Sequence, residues 1–513
     1  MKAKRLLALL AVPMLLGTVA SCGEPTTTVK PDTKPTVPTS VIPQDIIVGT
    51  KEKPVKIMFW HTMGKDLQNL VKEYIESFKA VQPYVVVEEF MKNSSYSGLK
   101  DAVAQAFTSG TAPDMVEAYP DHVADYLDYG YGQDLTDFMA KYPLEDADDM
   151  VGLEEGTQYL TPGMYSLPWK KSSEVLIYNE VLVGLDLSGI DKSINGGRAL
   201  NTNYLDHLNW EELFDKLAPA LQTYNARLAA DKKIYDTTGD NAVVGYDSDD
   251  NLFITLAKQY GYGYTSIDEN GEPSIDFNKD SNMKNLVKKF GGYAAKGLLT
   301  TKGLLAGAFT STFFTARKCL FTISSSAGIK YAFDSENPFK ANVGCLPQPA
   351  VLQNNKKNVI SQGGSFTILS NQKDQSKEAR DRALASYLFY RHLTNVENAT
   401  DWVIRGQYDA IRKSTFVDEG YIAAKGVEGK PNPSGELLLA LYATKVAKEY
   451  ADNNYYFTSP AFKGSSTARV QVGGVITEAF TGYINAQKSG GEFTEDQLNK
   501  LFATALANIT KAL

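Results

Sequence analysis

The segment 55–118 alternates short apolar runs with amphipathic stretches, and this alternation restricts the fold more than any other feature of the chain. Apolar residues recur at helical spacing in two stretches, whereas three runs have the composition of strands. The predicted helices cover 67–78 and 96–107, and the predicted strands cover 55–60, 84–90 and 113–118. Because each helix stands between two strands, the strands have to be joined by parallel crossovers. The pattern predicts a doubly wound α/β sheet, in which ligands bind beyond the carboxyl ends of the strands.

The rest of the body continues with strands and helices of the same kind. The predicted strands cover 175–179, 318–323, 341–346 and 359–369, and the predicted helices include 251–260, 282–296, 375–393 and 395–405. Asn209 is expected to cap the helix that begins at Trp210, because Glu212 occupies the third helical position. Trp210 shares a helix face with Leu213 and Phe214, which predicts a core position for its ring.

The first residues have the composition of an export signal. Lys2, Lys4 and Arg5 precede an apolar run at 6–19, which is too short to span a bilayer as an ordinary transmembrane helix. The run ends in Val-Ala-Ser before Cys22, a four-residue motif that resembles the bacterial lipobox. Small residues fit the extended slot of a signal peptidase, and the thiol can take a diacylglyceryl chain.

Residues 1–21 are therefore predicted to be a lipoprotein signal peptide and Cys22 a lipidation site, with ordinary signal cleavage before a chance cysteine as the alternative. Residues 22–53 are rich in proline and threonine, with almost no aromatic side chains. Such a segment cannot bury enough apolar surface to offset its ordering entropy, which predicts a disordered or polyproline-like tether. No later window holds about twenty uninterrupted apolar residues. The pattern predicts a soluble body, held by lipid at the extracytoplasmic face of the membrane.

Charge and cysteine content exclude several classes of protein. The chain carries 52 Lys+Arg against 60 Asp+Glu, a formal net charge of −8, which argues against a nucleic-acid partner. Its three cysteines are too few for a disulfide scaffold. Cys319 and Cys345 are expected on strands that could be neighbours, where a disulfide or two buried thiols would both fit. The acidic loop 247–251 resembles a calcium loop but lacks its glycine and its terminal glutamate, so a helix N-cap is expected there. No metal or cofactor is predicted.

Common enzyme motifs are missing from the sequence, including G-x-S-x-G, G-x-x-x-x-G-K-[ST], H-E-x-x-H and a G-x-G-x-x-G after the first strand. His61 stands beside the first predicted loop, and the other histidines, His122, His207 and His392, are expected at the surface. A glycosidase needs only two suitably placed carboxylates, so a lipid-anchored glycosidase stays an alternative. A glycan adhesin without a transport partner is another. The preferred interpretation is a binding protein without enzymatic activity.

Several segments between Val55 and Leu513 match those of a known family, in order. They are Phe59-Trp60-His61, Tyr96, S-G-T-A-P-D at 109–114, P-W-K-K-S-S-E-V-L-I-Y-N at 168–179, the strand and serines at 319–326, Gly363-Gly364 and the segment 402–411. In these segments the chain resembles the extracellular solute-binding proteins of ABC importers. The similarity is to the subgroup that includes the maltose-binding and glycerol-3-phosphate-binding proteins.

The resemblance implies two doubly wound α/β lobes joined by hinge strands, the type II periplasmic-binding-protein fold. Lobe one is expected at 54–170 and 359–406, and lobe two at 171–358 and 407–513. Closure about the hinge would let both walls of a cleft contact one ligand. The resemblance also implies a monomer that captures a small solute and passes it to the transmembrane subunits of an ABC permease.

Ligand-binding residues are implied by the resemblance at Tyr96, Asp121, Ser172, Ser325 or Ser326, Gly363 or Gly364, and Tyr408. The composition agrees with a sugar site, because tyrosines (29) outnumber phenylalanines (23) and sugars offer apolar C–H faces to rings and hydroxyls to carboxylates and amides. Further candidate residues in the predicted cleft segments are Trp60, His61, Tyr119, Trp169, Tyr246, Asp247, Asp249 and Asn251.

Two departures from the family pattern bear on the solute. Where glycerol-3-phosphate receptors have a glutamate after the third strand, this chain has Pro120. Their phosphate-contacting arginine finds no clear counterpart, and Lys463 is the nearest cation expected in that region. A phosphate ester needs a bidentate guanidinium or a nest of N–H groups. A neutral sugar or oligosaccharide is therefore favoured, with glycerol-3-phosphate or a phosphodiester as the alternative.

Overall fold

The computed structural model describes residues 46–269, 271–333, 340–425 and 435–513. The predicted signal peptide 1–21, the lipidation site Cys22 and the tether as far as residue 45 lie outside the described residues. The end of the predicted tether packs on the body, since Val48 is 3% exposed and its N–H donates to Gln82 Oε1 at 3.0 Å. The tether prediction of 22–53 therefore extends too far, because Val48 supplies an apolar side chain that the core accepts.

Two five-stranded sheets organise the described residues. The strands are β1 (Val55–His61), β2 (Val85–Met91), β3 (Met115–Ala118), β4 (Leu167–Ser172), β5 (Glu174–Asn179), β6 (Val244–Tyr246), β7 (Thr265–Ile267), β8 (Pro273–Ile275), β9 (Leu299–Thr301), β10 (Phe321–Ser325), β11 (Ala341–Cys345), β12 (Val359–Ile360), β13 (Gln362–Ile368) and β14 (Tyr456–Phe457). The first sheet has the order β2-β1-β3-β13-β4, and the second has the order β11-β5-β10-β6-β9.

The first sheet confirms the predicted parallel crossovers, because β1 pairs in parallel with both β2 and β3. β13 returns antiparallel between β3 and β4. In the second sheet, β10 pairs in parallel with β6 and antiparallel with β5. Because only Ser173 separates β4 from β5, the chain passes from the first sheet to the second within one residue.

Helices cover both sheets. They are α1 (Lys65–Val81), α2 (Tyr96–Ser109), α3 (Pro120–Asp128), α4 (Thr136–Lys141), α5 (Thr202–Leu205), α6 (Ala218–Arg227, continuing a π-helical turn at Glu212–Leu217), α7 (Asp249–Gln259), α8 (Asn282–Ala295), α9 (Thr310–Thr315), α10 (Lys377–Leu393), α11 (Val396–Gly406), α12 (Glu419–Lys425), α13 (Gly435–Asp452), α14 (Ser465–Ser489) and α15 (Glu495–Thr510). Among the described helices, none combines the length and the apolar character needed to cross a bilayer.

Each sheet has its own hydrophobic core. Phe59, Trp169, Phe366 and Trp402 pack together in the first core, and Trp210 lies in the second. The core prediction for Trp210 is confirmed, as is the cap, because Asn209 Oδ1 accepts the Glu212 N–H at 2.7 Å. The lobe boundaries at 54–170 with 359–406 and 171–358 with 407–513 stay predictions.

The cysteines and histidines differ from expectation in part. Cys319 and Cys345 are both buried free thiols. They do not lie on neighbouring strands, because β5 separates β11, which contains Cys345, from β10, which follows Cys319. The expectation of surface positions is wrong for His122 and His392, which are both buried. His392 Nε2 and the Ser77 hydroxyl form a hydrogen bond of 2.7 Å. Burial lowers the pKa of His392 to about 4.

Gly363 is the backbone position on which the pairing of β13 with β4 depends. Its φ is +92°, and an added Cβ would lie 2.0 Å from the Lys170 carbonyl oxygen. We expect Gly363→Ala to lower the free energy of unfolding by at least about 3 kcal/mol, from backbone strain and the clash together. Gly184→Ala is the matched control, because Gly184 has φ +86° and open space, so strain alone should cost about 1 kcal/mol. Denaturant unfolding measures both, and equal losses would contradict the close approach at Gly363.

Candidate functional site

A cavity of about 120 Å³ opens between the residues that follow β3 and the first turns of α7 and α14. Its lining combines two tyrosine rings with carboxylate, amide, hydroxyl and guanidinium groups. The lining residues are Tyr119, Pro120, Asp121, Ser248, Asp250, Asn251, Tyr264, Ile360, Ser361, Gln362, Thr458, Ser459, Pro460, Ser465 and Arg469. The cavity therefore lies beyond the carboxyl end of a parallel strand, where the sequence pattern placed the ligand.

Arg469, in the first turns of α14, is the central cation of the cavity. Its NH1 donates to Asp250 Oδ2 at 3.0 Å and to Asn251 Oδ1 at 2.7 Å, and its Nε lies 3.4 Å from Asp121 Oδ2. Burial alone would raise the pKa of Asp250, but the guanidinium and the Ser248 hydroxyl outweigh it and lower that pKa. Two carboxylates thus face one guanidinium, and the three groups together carry one net negative charge.

Asn251 connects this cation to a buried acid of the second sheet. Its Nδ2 donates to Glu174 Oε1 at 3.1 Å and to Gln362 Oε1 at 2.9 Å. The Tyr246 hydroxyl donates to the other oxygen of Glu174. Burial raises the pKa of Glu174 to about 7, although both hydrogen bonds act in the opposite direction. Hydrogen bonds therefore run from Glu174 through Asn251 to Arg469 at the cavity wall.

A fully buried ion pair lies beside the cavity at the end of β3. Lys170 Nζ donates to Glu117 Oε1 at 2.8 Å, and the two side chains are 3% and 0% exposed. The Thr62 N–H donates to the same oxygen at 2.7 Å. Burial would raise the pKa of Glu117, but Lys170 and Thr62 outweigh it, and that pKa lies below its ordinary value. Lys170 also lies 5.3 Å from the Tyr96 ring centroid and 5.5 Å from that of Tyr408.

Tyr96 joins this ion pair to the cavity. Its ring contacts that of Tyr119 with the centroids 4.4 Å apart, and its hydroxyl accepts the Gly364 N–H at 3.1 Å. Gly364 leaves little room for a side chain at this position, because an added Cβ would lie 3.0 Å from the Tyr96 hydroxyl oxygen. The structure thus brings together Tyr96, Tyr119, Asp121 and Gly364 from the predicted site residues. Gly363 lies on the other side of β13, against the Lys170 carbonyl.

A second polar cluster collects predicted residues where the chain passes between the sheets. Ser326 and Ser173 each donate a hydroxyl hydrogen bond to Asp409, both at 2.7 Å. Burial raises the pKa of Asp409 to about 6. Ser172 lines a small pocket that Asp409 also lines, and Tyr408 precedes Asp409 and stacks on Trp402 at 5.9 Å. Ser325 Oγ accepts the Ala327 N–H and caps the following 3-10 helix.

The side chains of four further predicted site residues are packed or bonded within the protein and lie outside the cavity lining: Trp169, His61, Trp60 and Asp247. Trp169 is 1% exposed and packs in the first core against Phe59 and Trp402, because β4 is buried on both faces. His61 Nε2 bonds Glu89 Oε2 at 2.6 Å beneath the surface. Trp60 packs on the opposite face of β1, since successive side chains of a strand alternate, and Lys92 covers its ring at 4.2 Å.

Asp247 is the fourth of these, and its neighbour Asp249 is also bound within the protein. Asp247 Oδ1 accepts the hydroxyl and the N–H of Thr310 at the start of α9. Asp249 accepts from the Thr301 hydroxyl at 2.6 Å and from the Gly303 N–H at 2.8 Å. With these two carboxylates the acidic loop therefore binds hydroxyl and N–H donors that lie between the end of β9 and the start of α9. These donors occupy the lone pairs that a calcium ion would need.

The sequence interpretation missed Arg469, Glu117 and Lys170. Arg469 stands six residues beyond Lys463, the cation expected in this region, and Lys463 instead pairs with Asp128 at 3.5 Å. The signal for Glu117 and Lys170 was present, since each is a charged residue inside a strand whose other residues are buried. A charge in such a position has to find a buried partner.

Comparison with known proteins agrees with this architecture. Residues 73–427 match the family model described as bacterial extracellular solute-binding protein. The sn-glycerol-3-phosphate-binding periplasmic protein UgpB of Shigella dysenteriae is 21% identical over 395 residues, which are 73% of this chain and 80% of that protein. An uncharacterized lipoprotein of Mycoplasma pneumoniae is 30% identical over 141 residues, and the match spans 25% of this chain and only 17% of that protein.

Solved structures show the same fold at lower sequence identity. The structure of UgpB from Mycobacterium tuberculosis in complex with glycerophosphocholine is 15% identical, with a TM-score of 0.61 over 90% of this chain and 98% of that one. The sugar-binding protein MalE from Xanthomonas citri is 13% identical, with a TM-score of 0.61 over 89% and 98%. The predicted fold class, the type II periplasmic-binding-protein fold, is confirmed.

The buried pair of Lys170 and Glu117 gives the first prediction for this site. We expect Lys170→Met to lower the free energy of unfolding by about 3–5 kcal/mol, because it leaves a buried carboxylate without its cation. Glu117→Gln combined with Lys170→Met should recover at least half of the loss, since the amide oxygen still accepts from Thr62. Lys79→Met, in an exposed pair with Glu76, should cost less than about 1 kcal/mol. Denaturant unfolding of wild type and these three variants tests the pair, and a double variant no more stable than Lys170→Met would contradict it.

The raised pKa of Glu174 gives the second prediction for this site, which concerns the pH dependence of stability. In the unfolded chain this acid ionises near its ordinary value of 4.5, whereas the folded protein keeps the proton to about pH 7. The stability that Glu174 contributes is therefore complete below pH 4.5 and is lost as the pH rises to about 7. Glu174→Gln removes this loss, so its stability relative to wild type should rise by on the order of 2–3 kcal/mol between pH 4.5 and 8. Glu76→Gln, at an exposed site, is the control. A difference that does not change with pH would show that Glu174 is ionised throughout.

Proposed function

The chain belongs to the bacterial extracellular solute-binding protein family, and from that premise we propose that it captures a carbohydrate for an ABC importer. The solute binds in the cavity between the two sheets and passes unchanged to the transmembrane subunits of the permease. The observation that carries the proposal is the lining of this cavity, where two tyrosine rings stand beside closely spaced carboxylate, amide and guanidinium groups. Such a lining suits a molecule with apolar C–H faces and many hydroxyls.

Named groups can serve both parts of a sugar. The rings of Tyr119 and Tyr264 offer apolar faces, and Tyr96 supports Tyr119 from behind. Asp121, Asn251 and Arg469 offer acceptors and donors that are already oriented by one another. Because these groups are held in place before the solute arrives, little side-chain entropy is lost on binding.

The charge of the cavity favours a neutral solute over a phosphate ester. Arg469 is already matched by Asp121 and Asp250, so a phosphate would have to displace one carboxylate or accept its repulsion. Burying like charges together costs several kcal/mol unless a further cation is present. Sugar hydroxyls, in contrast, can donate to the carboxylates and accept from the guanidinium at once.

An organophosphate is the second candidate, and two observations favour it. Arg469 supplies the guanidinium that the sequence interpretation did not find, in the first turns of the 25-residue helix α14. The relative UgpB of Shigella dysenteriae is named for sn-glycerol-3-phosphate binding. The two candidates differ in what they require of Arg469, because only a phosphate needs the guanidinium charge itself.

The cellular setting of the proposal follows from the amino terminus and the family. We propose that the protein acts as a monomer on the extracytoplasmic face of the membrane, anchored through lipid on Cys22 and the tether that follows it. The match to an uncharacterized lipoprotein of Mycoplasma pneumoniae supports the anchor. Hinged closure of two lobes about the solute would signal the loaded state to the permease. Because an importer receptor releases its cargo intact, we expect no shortened products when oligosaccharides are incubated with the protein.

Two variants test the carbohydrate site. We expect Tyr119→Ala and Asp121→Asn each to weaken binding of a maltodextrin by about 1 kcal/mol or more, roughly fivefold in Kd, because each removes one contact group. Tyr129→Ala and Asp128→Asn are matched controls, since both residues are exposed and neither lines the cavity. Isothermal titration calorimetry over mono-, di- and trisaccharides measures the affinities. Unchanged affinity in both test variants would place the sugar elsewhere.

Arg469→Gln distinguishes the two candidate solutes. If the solute is a sugar, wild type binds saccharides but not sn-glycerol-3-phosphate, and the variant loses a hydrogen bond worth about 1–2 kcal/mol. A receptor for organophosphates would instead bind sn-glycerol-3-phosphate in the wild type and lose it by at least about a hundredfold in the variant. A thermal-shift screen with both classes of solute gives the answer, because a ligand at a hundred times its Kd adds about 2.7 kcal/mol to stability.

A further inference from the structure

Three side chains with metal-binding atoms meet on the second sheet, at a place that shares no residue with the cavity lining. They are His207, two residues after α5, Cys345 at the end of β11, and Glu449 near the end of α13. Cys345 Sγ lies 3.4 Å from Glu449 Oε2, and His207 Nε2 lies 3.8 Å from the same oxygen. All three ligand atoms lie within 4.8 Å of one another.

The backbone holds the three elements together at this point. Gly344 lets the chain at Asp206 approach β11 closely, since an added Cβ would lie 2.6 Å from Asp206 Cα. The Cys345 N–H then donates to the Asp206 carbonyl at 2.8 Å, which fixes His207 beside Cys345. The Leu346 N–H donates to the Tyr450 hydroxyl at 2.7 Å, which fixes α13 against the same strand. The convergence is therefore a product of main-chain packing and not of surface side chains meeting by chance.

The neighbours of the histidine and the glutamate orient them for a ligand. His207 Nδ1 lies 3.0 Å from the Asn203 carbonyl oxygen, and because a carbonyl can only accept, Nδ1 carries the hydrogen. The lone pair is then on Nε2, the atom that faces Cys345 and Glu449. Lys357 Nζ lies 3.3 Å from Glu449 Oε1, which leaves Oε2 for a ligand. Carbonyl-bound histidines and hydrogen-bonded carboxylates are typical of the groups around metal ligands.

We propose that His207, Cys345 and Glu449 bind a zinc ion through Nε2, Sγ and Oε2. Zinc prefers this combination of imidazole, thiolate and carboxylate, at bond lengths of about 2.0–2.3 Å. Those lengths set the edges of a tetrahedron at roughly 3.3–3.7 Å, close to the two separations that involve Glu449. The Cys345 thiol gives up its proton to solvent as the sulfur bonds the metal, and water fills the fourth position. The ion enters from the side of His207, whose side chain is 47% exposed.

This site would join α13 to the second sheet, away from the solute. The three ligands come from three separate segments, so the bound metal links positions that are distant along the chain. A ligand that binds only the folded state stabilises it in proportion to its occupancy. Zinc binding should therefore raise the unfolding temperature and leave the solute affinity unchanged, since none of the three residues lines the cavity.

The full chain, stripped with a chelator and titrated with zinc chloride, should bind one ion per chain by elemental analysis. Cobalt chloride in place of zinc should give a thiolate-to-cobalt charge-transfer band. We expect Cys345→Ser to abolish the band and His207→Ala to weaken metal binding at least about tenfold. Cys319→Ser is the matched control, because Cys319 is a buried thiol beside Thr310 and lies outside the cluster.

The variants also separate the proposal from its alternatives. His207→Ala removes an exposed ring, so its fold should be retained even if Cys345→Ser proves unstable, and the zinc-dependent rise in unfolding temperature should be lost in it. A band that persists in Cys345→Ser would assign the thiolate to another cysteine and overturn the proposal. Equal zinc affinity in wild type and His207→Ala, or no band in the wild type, would overturn it as well.

Discussion

The lysines and the arginine around the cavity are each matched by a carboxylate, and this constraint governs the region. Moving an isolated charge out of water costs several kcal/mol, so a buried lysine needs a carboxylate and a half-buried guanidinium needs acceptors on the side that faces the protein. Lys170 meets Glu117, Lys171 meets Glu155 at 2.7 Å, and Arg469 meets Asp121 and Asp250. The strands β3 and β4 can hold charged residues in buried positions only because their neighbours supply these partners.

The same matching determines what can enter the cavity. A solute that displaces one of these contacts has to replace its hydrogen bonds, because an unpaired buried polar group costs about 1–3 kcal/mol. Hydroxyl groups can both donate and accept, so a polyol can bind Asp121 and Arg469 together without changing the charge. The tyrosine rings then add apolar contact. In the proposed function, selectivity for a neutral, hydroxyl-rich molecule would follow from electrostatics that also stabilise the protein.

The sheets could be predicted because their hydrophobic pattern depends on residues that are close together in the sequence. The site could be predicted less completely because its residues come from segments that are far apart in the sequence. The periodicity around β1, α1 and β2 and the cap at Asn209 depend on residues within a few positions of one another. Arg469 reaches Asp250 from more than two hundred residues away, through the packing of α14 on α7. The register of that packing decides whether Arg469 or Lys463 faces the cavity, and no local pattern contains it. Trp169 shows the same limit, since a strand buried on both faces gives no sign of which side meets a ligand.

The passage between the sheets is where the proposed hinge would lie. Ser173 alone separates β4 from β5, and it is held by its hydroxyl on Asp409 and by reciprocal hydrogen bonds with Ser326. The Asp409 N–H in turn donates to the Lys171 carbonyl at 2.9 Å, so β4, β10 and the segment after α11 all meet at one point. In the proposed hinged closure this point would serve as the pivot, because a single residue joins β4 to β5 there. Asp121 and Arg469 line the cavity, and their separation of 3.4 Å is longer than those of the Lys170–Glu117, Lys171–Glu155 and Arg469–Asp250 pairs. In the proposed closure, opening the cavity would separate α14 from α3, which are joined by this pair and by the hydrogen bond from the Ser466 hydroxyl to Asp125 at 2.7 Å.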